Sequence, residues 1–518
     1  MNMKRKVSEN RIKLVVLPIC VFAYLFLQSC SGRNTESSLK HSDVSIAKPE
    51  LTVFKAPQEA PVNSSFSVFV RYDGGKWIDL HEYDAEVDGG YLKEPIHHMA
   101  FVSFDSDFSK RIDVKVIKNE GTINEVEIRP ELSSVRPVVE KNTIEFSLTE
   151  ASKISVEING DLYNNLMVFA NNPETEKVRP NDNSIIYFGP GVHKIGEDGK
   201  GTLQLKKNDK IYIAGGAIVY GTLSALGADN ISVTGRGILC GGMYTDHAFP
   251  HPEGKSLISF SDIKKAKIEG ITLLNTVGWN IHLNGCDSIE CNNLKIMGWT
   301  INSDGINPQC SENIIIDDCF VRNFDDCISI KMNYGMGKNF KTRVSRNITV
   351  QNCIFWTDQG RSVLIGPESY IPGGGTFENI TVKNIDVLYN ENYDVDWAKG
   401  VLAINLGDSA TARNITFDNI RVYRLGPKTN LITLTMDKYT YNLSEGKRME
   451  NIRFNRITLN SGQNLDNYIW GVSKLEIIDG VCFDNLKIDR LYVRNPREGR
   501  FDINEYAENI AFTTTNNN

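Results

Sequence analysis

Three aspartates open the chemistry of this chain. The stretch "SDGINPQCSENIIIDDCFVRNFDDCISIK" (303–331) carries Asp304 and then the adjacent pair Asp325 and Asp326. Like charges brought this close raise the pKa of at least one carboxyl. A carboxyl that keeps its proton beside ionised ones can act as general acid while its neighbours act as general base. Hydrolysis of a glycosidic bond needs that division, and an inverting mechanism spaces acid and base so that a water fits between. A bare acidic pair can equally be a solvated turn or a calcium ligand, so the elements that carry the pair decide its meaning.

Those elements repeat. "NISVTGRGIL", "KIEGITLLN", "NIIIDDCFVRN", "NITVQNCIFWT", "NITVKNIDVLY", "NITFDNIRVYR" and "NIRFNRITLN" share one form, two short apolar-alternating runs joined by Asn, Asp or Gly. A period of a few tens of residues built from strands predicts a solenoid, here a parallel β-helix. Asn suits its corners because it tolerates left-handed backbone and can bond its equivalent one coil away. One strand spacing is roughly 4.8 Å, so Asp304 and Asp325, 21 residues apart, are expected to stack on neighbouring rungs. Residues 51–178 read differently. Runs such as "SFSVFVRY", "RIDVKVIK" and "TIEFSLTE" alternate between close turns, as in an antiparallel β-sandwich. The fold class expected is thus all-β, with a sandwich over 51–178 and a right-handed parallel β-helix over 179–518. The sandwich is expected to bind sugar or to cap one end of the solenoid.

The first residues read as a targeting segment. Lys4, Arg5, Lys6, Arg11 and Lys13 precede the apolar run "LVVLPICVFAYLFL", and "LQSC" follows. This predicts a signal peptide over 1–29. The "LQSC" stretch resembles a bacterial lipoprotein box, which implies lipidation at Cys30, a tether over 30–50 and an exported, outer-membrane-attached protein. Loss of five basic residues and one acidic residue takes the net charge from −7 to about −11. An acidic chain without a basic patch is not a nucleic-acid binder. The partners expected are a polysaccharide substrate and, through the lipid, a membrane. The chain is expected to be monomeric. Eight cysteines lie between Cys240 and Cys482, none at metal-ligand spacing, and read as small buried apolar residues.

The segment 279–331 resembles the core of glycoside hydrolase family 28, the polygalacturonase family. Asn302, Asp304, Gly305 and Pro308 match its first motif, with Ser303 and Asn307 as departures. Asp325, Asp326, Cys327, Ile328, Ile330 and Lys331 match its second. The resemblance implies Asp325 as general acid, Asp304 and Asp326 as activators of water, inversion at the anomeric carbon, and neither metal nor cofactor. It also exposes two further departures. Arg361 in "GRSVLIG" stands where the family has a His near the acid. "KGVLAINLGD" (399–408) lacks the family's Arg–x–Lys element that holds a uronate carboxylate. The order of sandwich before β-helix resembles family 49, the dextranase and isopullulanase family. Asn302, Arg361, Lys331, Trp397 and Tyr370 are the expected substrate-binding residues, with Arg361 or Lys399 able to replace the missing cations. Asp358, Glu368, Asp394 and Asp396 read as solvated loop acids, and His282 as a structural histidine. The reading favours a substrate that is neutral at the cleaved bond, such as an α-glucan or a neutral branch of a complex glycan. Pectin hydrolysis, a polysaccharide lyase and a non-catalytic glycan-binding lipoprotein are the alternatives.

Overall fold

A computed structural model describes residues 51–88, 96–176, 178–242, 256–276, 278–332, 344–371, 373–393, 399–438, 441–462 and 465–515. The signal peptide, Cys30 and the tether lie outside these residues, as do Trp397, Asp394 and Asp396.

Two sheets form the sandwich. In one, the strands run in the order Leu51–Val53, His97–Ser106, Leu166–Asn171, Ser152–Ile158, Val126–Arg129, with Tyr83–Val87 also on His97–Ser106. The other runs Ile78–Asp79, Phe66–Tyr72, Ile112–Lys118, Thr143–Leu148, Val138–Glu140. Alternate residues point inward, and Val68, Val70, Val102, Val114, Val116, Phe146 and Val168 fill the space between the sheets. One pairing departs from the expected antiparallel pattern: His97–Ser106 and Leu166–Asn171 run parallel.

From Ile185 onward the chain winds into parallel coils with three faces. A representative coil has Glu312–Asp317 on the first face, Phe320–Asn323 on the second and Ile328–Ile330 on the third. Each strand pairs in parallel with its equivalent one coil on, as Ile314 pairs with Ile348 and Ile328 with Val363. Inward Ile, Val, Leu and Phe stack into one continuous core. At a corner of the first face, Asn313, Asn347, Asn379, Asn414 and Asn451 all have positive φ. Each side-chain amide donates to the preceding one, at 3.0, 3.3, 3.2 and 2.6 Å. The ladder pairs each side-chain amide with the side-chain oxygen one coil back and so ties the corners of successive coils together. The eight cysteines are free thiols, seven of them buried.

The sandwich does not cap an end. Ala85, Met99, Phe101, Met167 and Phe169 pack on the second face of the solenoid, against Ile218, Ile238, Leu274, Met297, Phe320, Trp356 and Leu388. Those seven belong to seven successive coils, a length of roughly 29 Å at one strand spacing per coil. Phe169 meets Phe320 edge-on at 5.2 Å between centroids. A sheet covered on both faces needs apolar residues at consecutive positions, and "CFVRN" and "CIFWT" supply them. The sandwich therefore lies along the flank of the solenoid, beside the corner where the second face turns into the third.

Candidate active site

The three aspartates sit at that corner. Asp304 lies in the turn between Lys295–Gly298 and Ile306–Gln309, and Asp325 and Asp326 in the next coil's turn, between Phe320–Asn323 and Ile328–Ile330. Their register differs from the expected one. Ile306 pairs with Ile328, and the Gly305 amide donates to the Asp326 carbonyl at 2.9 Å. Asp326, not Asp325, is therefore the rung-mate of Asp304. Asp325 stands beside them, one residue earlier on its coil. Pairing of Ile328 with Val363 continues the row and sets Arg361 on Asp326. The close approach leaves no room for a side chain on Gly305, whose added Cβ would sit 2.3 Å from the Cys327 carbonyl oxygen.

All three carboxyls are buried, at 2, 8 and 3% exposure for Asp304, Asp325 and Asp326. Each has a different environment. Asp304 Oδ2 accepts from Lys331 Nζ at 3.0 Å and from Asn307 Nδ2 at 2.9 Å. Asn307 thus donates where a second aspartate would repel. Asp326 Oδ1 accepts from the backbone amide and Nε of Arg361, both at 2.9 Å. Asp325 accepts from neutral donors. Its Oδ2 accepts from the Tyr393 hydroxyl at 3.0 Å and the Asn302 amide at 3.2 Å, and its Oδ1 from the Asp326 amide at 2.9 Å. Burial, followed by the charges of Asp304 and Asp326, pushes the Asp325 carboxyl up to about 8, against the opposing pull of Arg361 and Lys331. Burial also raises Asp304, with Lys331 pulling down and Asp326 pushing up. At neutral pH Asp325 therefore holds a proton beside two carboxyls that each have a cationic partner, the pairing of acid and base that hydrolysis requires.

The expected binding residues fare unequally. Lys331 is buried and bridges Asp304 and Glu368, with Nζ 2.7 Å from Glu368 Oε2 and 4.3 Å from the centre of the Trp279 ring. Burial alone would lower its pKa; Asp304 and Glu368 outweigh that and hold it charged. Arg361 is buried against Asp326. Both cations thus pair with the aspartate cluster. Asn302 is exposed, with positive φ, and offers its backbone amide to Asp325. Tyr370 is exposed on the loop that carries Glu368. The strand Leu402–Asn405, where an Arg–x–Lys pair was sought, holds no cation and is buried.

Two loop acids are ion-paired rather than simply solvated. Asp358 is buried, accepting from Trp356 Nε1 at 2.9 Å and Arg322 at 3.2 Å, and Glu368 binds Lys331. His282 is structural, as expected: Nε2 lies 2.8 Å from Gln309 Oε1, and burial lowers its pKa to about 4. Tyr393 is the site residue the sequence reading missed. It lies in an irregular stretch two coils beyond Asp325, and no motif marks it. Among the described residues no three Asp, Glu, His or Cys side chains converge in a way that could hold a metal ion.

A parallel β-helix with a carboxylate trio at one corner defines the class of β-helical glycosidases. Within that class the chain belongs to glycosyl hydrolases family 28, whose family model matches residues 200–492, more than half of its length. An exopolygalacturonase of Platanus acerifolia is 27% identical over 235 residues, 39% of this chain and 61% of the relative. A probable polygalacturonase of Arabidopsis thaliana is 25% identical over 174 residues, 28% of this chain and 36% of the relative. These matches span less than two thirds of either relative. Dex49A from Penicillium minioluteum has the same fold over 89% of this chain and 96% of its own, with TM-score 0.61 at 17% identity. That likeness runs through sandwich and solenoid alike, in keeping with the family 49 layout.

Proposed function

We propose that the protein is an inverting polysaccharide hydrolase, with Asp325 as general acid and Asp304 and Asp326 activating the attacking water. The observation that carries this is the asymmetry of the trio. Among the described residues, Asp325 is buried with neutral hydrogen-bond donors and protonated at neutral pH, while Asp304 and Asp326 each lean on a cation. As the leaving oxygen takes the Asp325 proton, the carboxylate that forms is met by the Tyr393 hydroxyl and two backbone amides. The water gives its proton to the rung-stacked pair, whose charge Lys331 and Arg361 balance.

The substrate reading follows from the same charges. Among the described residues at this corner, Asp304, Asp325, Asp326 and Glu368 set four carboxyls against Lys331 and Arg361, and both cations are already paired. A uronate carboxylate buried here without a partner of its own would cost several kcal/mol. This favours a sugar that is neutral at the cleaved bond, an α-glucan or a neutral branch of a complex glycan. The polygalacturonase names of the relatives favour a second reading, pectin hydrolysis. Assay on dextran, pullulan, rhamnogalacturonan and polygalacturonate, with Asp325→Asn as control, separates the two. Turnover of polygalacturonate alone, weakened by Arg361→Ala, sinks the neutral-sugar reading. Undiminished turnover by a folded Asp325→Asn sinks the mechanism.

A further inference from the structure

The flank position of the sandwich brings a second group of side chains to the catalytic corner. Tyr163 and His97, both from the sandwich, stack with centroids 3.9 Å apart and planes 7° apart. Tyr163 also hydrogen-bonds Asp88 and lies within electrostatic reach of Glu391 and Asp358 on the solenoid. Glu391 is close to the acid by two routes. Its backbone amide donates to the Thr357 carbonyl at 3.2 Å, and the Thr357 hydroxyl donates to the Asp325 carbonyl at 2.8 Å. Two residues on, the Tyr393 hydroxyl meets Asp325 itself. Asp88, His97, Tyr163, Glu391 and Tyr393 are all half-buried, with surface still open to solvent.

The cluster sits on a rigid base. Arg322, fully buried, donates to Asn165 Oδ1 at 2.8 Å, to the Leu162 carbonyl at 2.8 Å and to Asp358 at 3.2 Å, and lies 4.3 Å from the Trp356 ring centre. Leu162 and Asn165, which bracket Tyr163 in the turn 162–165, are therefore tied to the strand that leads into Asp325. The solenoid also contributes Tyr389, whose hydroxyl donates to Glu391 at 2.7 Å.

We propose that this cluster is a sugar-binding subsite which the sandwich adds to the catalytic groove, with Tyr163 on its His97 support as the stacking platform and Asp88 and Glu391 as acceptors for hydroxyl groups. The chemistry selects its ligand. An aromatic face packs on the C–H surface of a pyranose ring, and carboxylates accept from sugar hydroxyls. A uronate would meet Asp88, Glu391 and Asp358. Among the described residues two guanidiniums lie nearby, and both are paired: Arg322 is buried and bound to Asp358 and the sandwich, and Arg424, beside the Tyr389 ring, is bound to Glu157 of the sandwich. The subsite therefore takes a neutral sugar and disfavours a uronate. This rests on the reading of Asp325 as the catalytic acid, because that reading makes the corner the place where the glycan lies.

Affinity electrophoresis tests the subsite without turnover. The full chain carrying Asp325→Asn is run through gels containing dextran, pullulan or polygalacturonate. At least one neutral glucan should retard it, and polygalacturonate should not. Added Tyr163→Ala should weaken that retardation about tenfold or more, roughly the value of one aromatic contact, whereas Tyr163→Phe should stay within about threefold. His97→Ala, which removes the supporting ring, gives a second reading should Tyr163→Ala fail to fold. Retardation by polygalacturonate alone, by no neutral glucan, or unchanged in folded Tyr163→Ala and His97→Ala variants overturns the proposal. Full hydrolysis by Asp325→Asn would overturn the catalytic reading instead and leave the binding result to stand by itself.

Discussion

Replacing Asp325 with Asn should make the protein more stable, and increasingly so as pH rises. The folded-state pKa of Asp325 is about 8 against an ordinary 3.8. With the folded value raised above the unfolded one, the native state binds more protons than the unfolded chain between those limits. Stability is thus fully present below about pH 4 and is lost as pH rises toward 8. At pH 7 holding Asp325 in place costs about 4 kcal/mol, from about three pH units at 1.36 kcal/mol each. Asn removes that cost but disturbs local bonds. Its oxygen can keep the Asp326 amide, and its NH2 can donate to the Tyr393 hydroxyl, but the Asn302 amide then loses its acceptor. One unmade bond offsets about 1–3 kcal/mol, which leaves a net gain of about 1–3 kcal/mol at pH 7. The slope is the sharper test because the local losses do not depend on pH. Urea denaturation of both proteins at pH 5, 6, 7 and 8 should show the variant's advantage growing by about 1.4 kcal/mol per pH unit from pH 5 to 7 and by less from 7 to 8, where Asp325 ionises in the folded protein. A difference that stays flat, or shrinks with pH, refutes the assignment of Asp325 as a strained, proton-holding acid.

Tyr393→Phe removes a donor that favours the ionised Asp325. The alkaline limb of the kcat–pH profile should move up by one to two pH units, from a charge-assisted bond of about 1.5–3 kcal/mol, and a limb that stays put removes Tyr393 from the proton chemistry. Arg361→Met leaves the buried Asp326 with only a backbone amide from residue 361; it should destabilise the protein by about 3–5 kcal/mol in urea titrations and cut kcat. Cys30→Ala should move the protein from the membrane fraction to the soluble fraction in fractionated cells, the outcome that lipidation at Cys30 requires.

The aspartate trio was legible because its three carboxyls are compressed into one short stretch, and Asn at the corners announced the coils that stack it. The register was misread by one residue. Equal sequence spacing does not fix which residue of a turn joins a rung, and here the ladder runs through Gly305 and Cys327, a 22-residue offset. Arg361 was legible as a substitution but not in its role, since its stacking on Asp326 follows from the strand pairing at Val363. Asp358 and Glu368 read as solvated loop acids because nothing near them in sequence names Arg322 or Lys331 as partner. The docking of the sandwich was hidden for a related reason. Phe320 and Trp356 look like ordinary core residues until the three faces are assembled and one proves to be covered from outside. Tyr393 depends on a loop returning to a coil far back in sequence, which no local pattern encodes.

The most direct test of the mechanism is the anomeric configuration of the first product. The polysaccharide that the protein cleaves in the substrate panel is digested in an NMR tube, and the anomeric protons are followed before mutarotation. Water delivered by Asp304 and Asp326 to the face opposite the Asp325 proton should release sugar with the inverted configuration. Early product that retains the configuration of the cleaved bond would contradict the division of labour among the three aspartates.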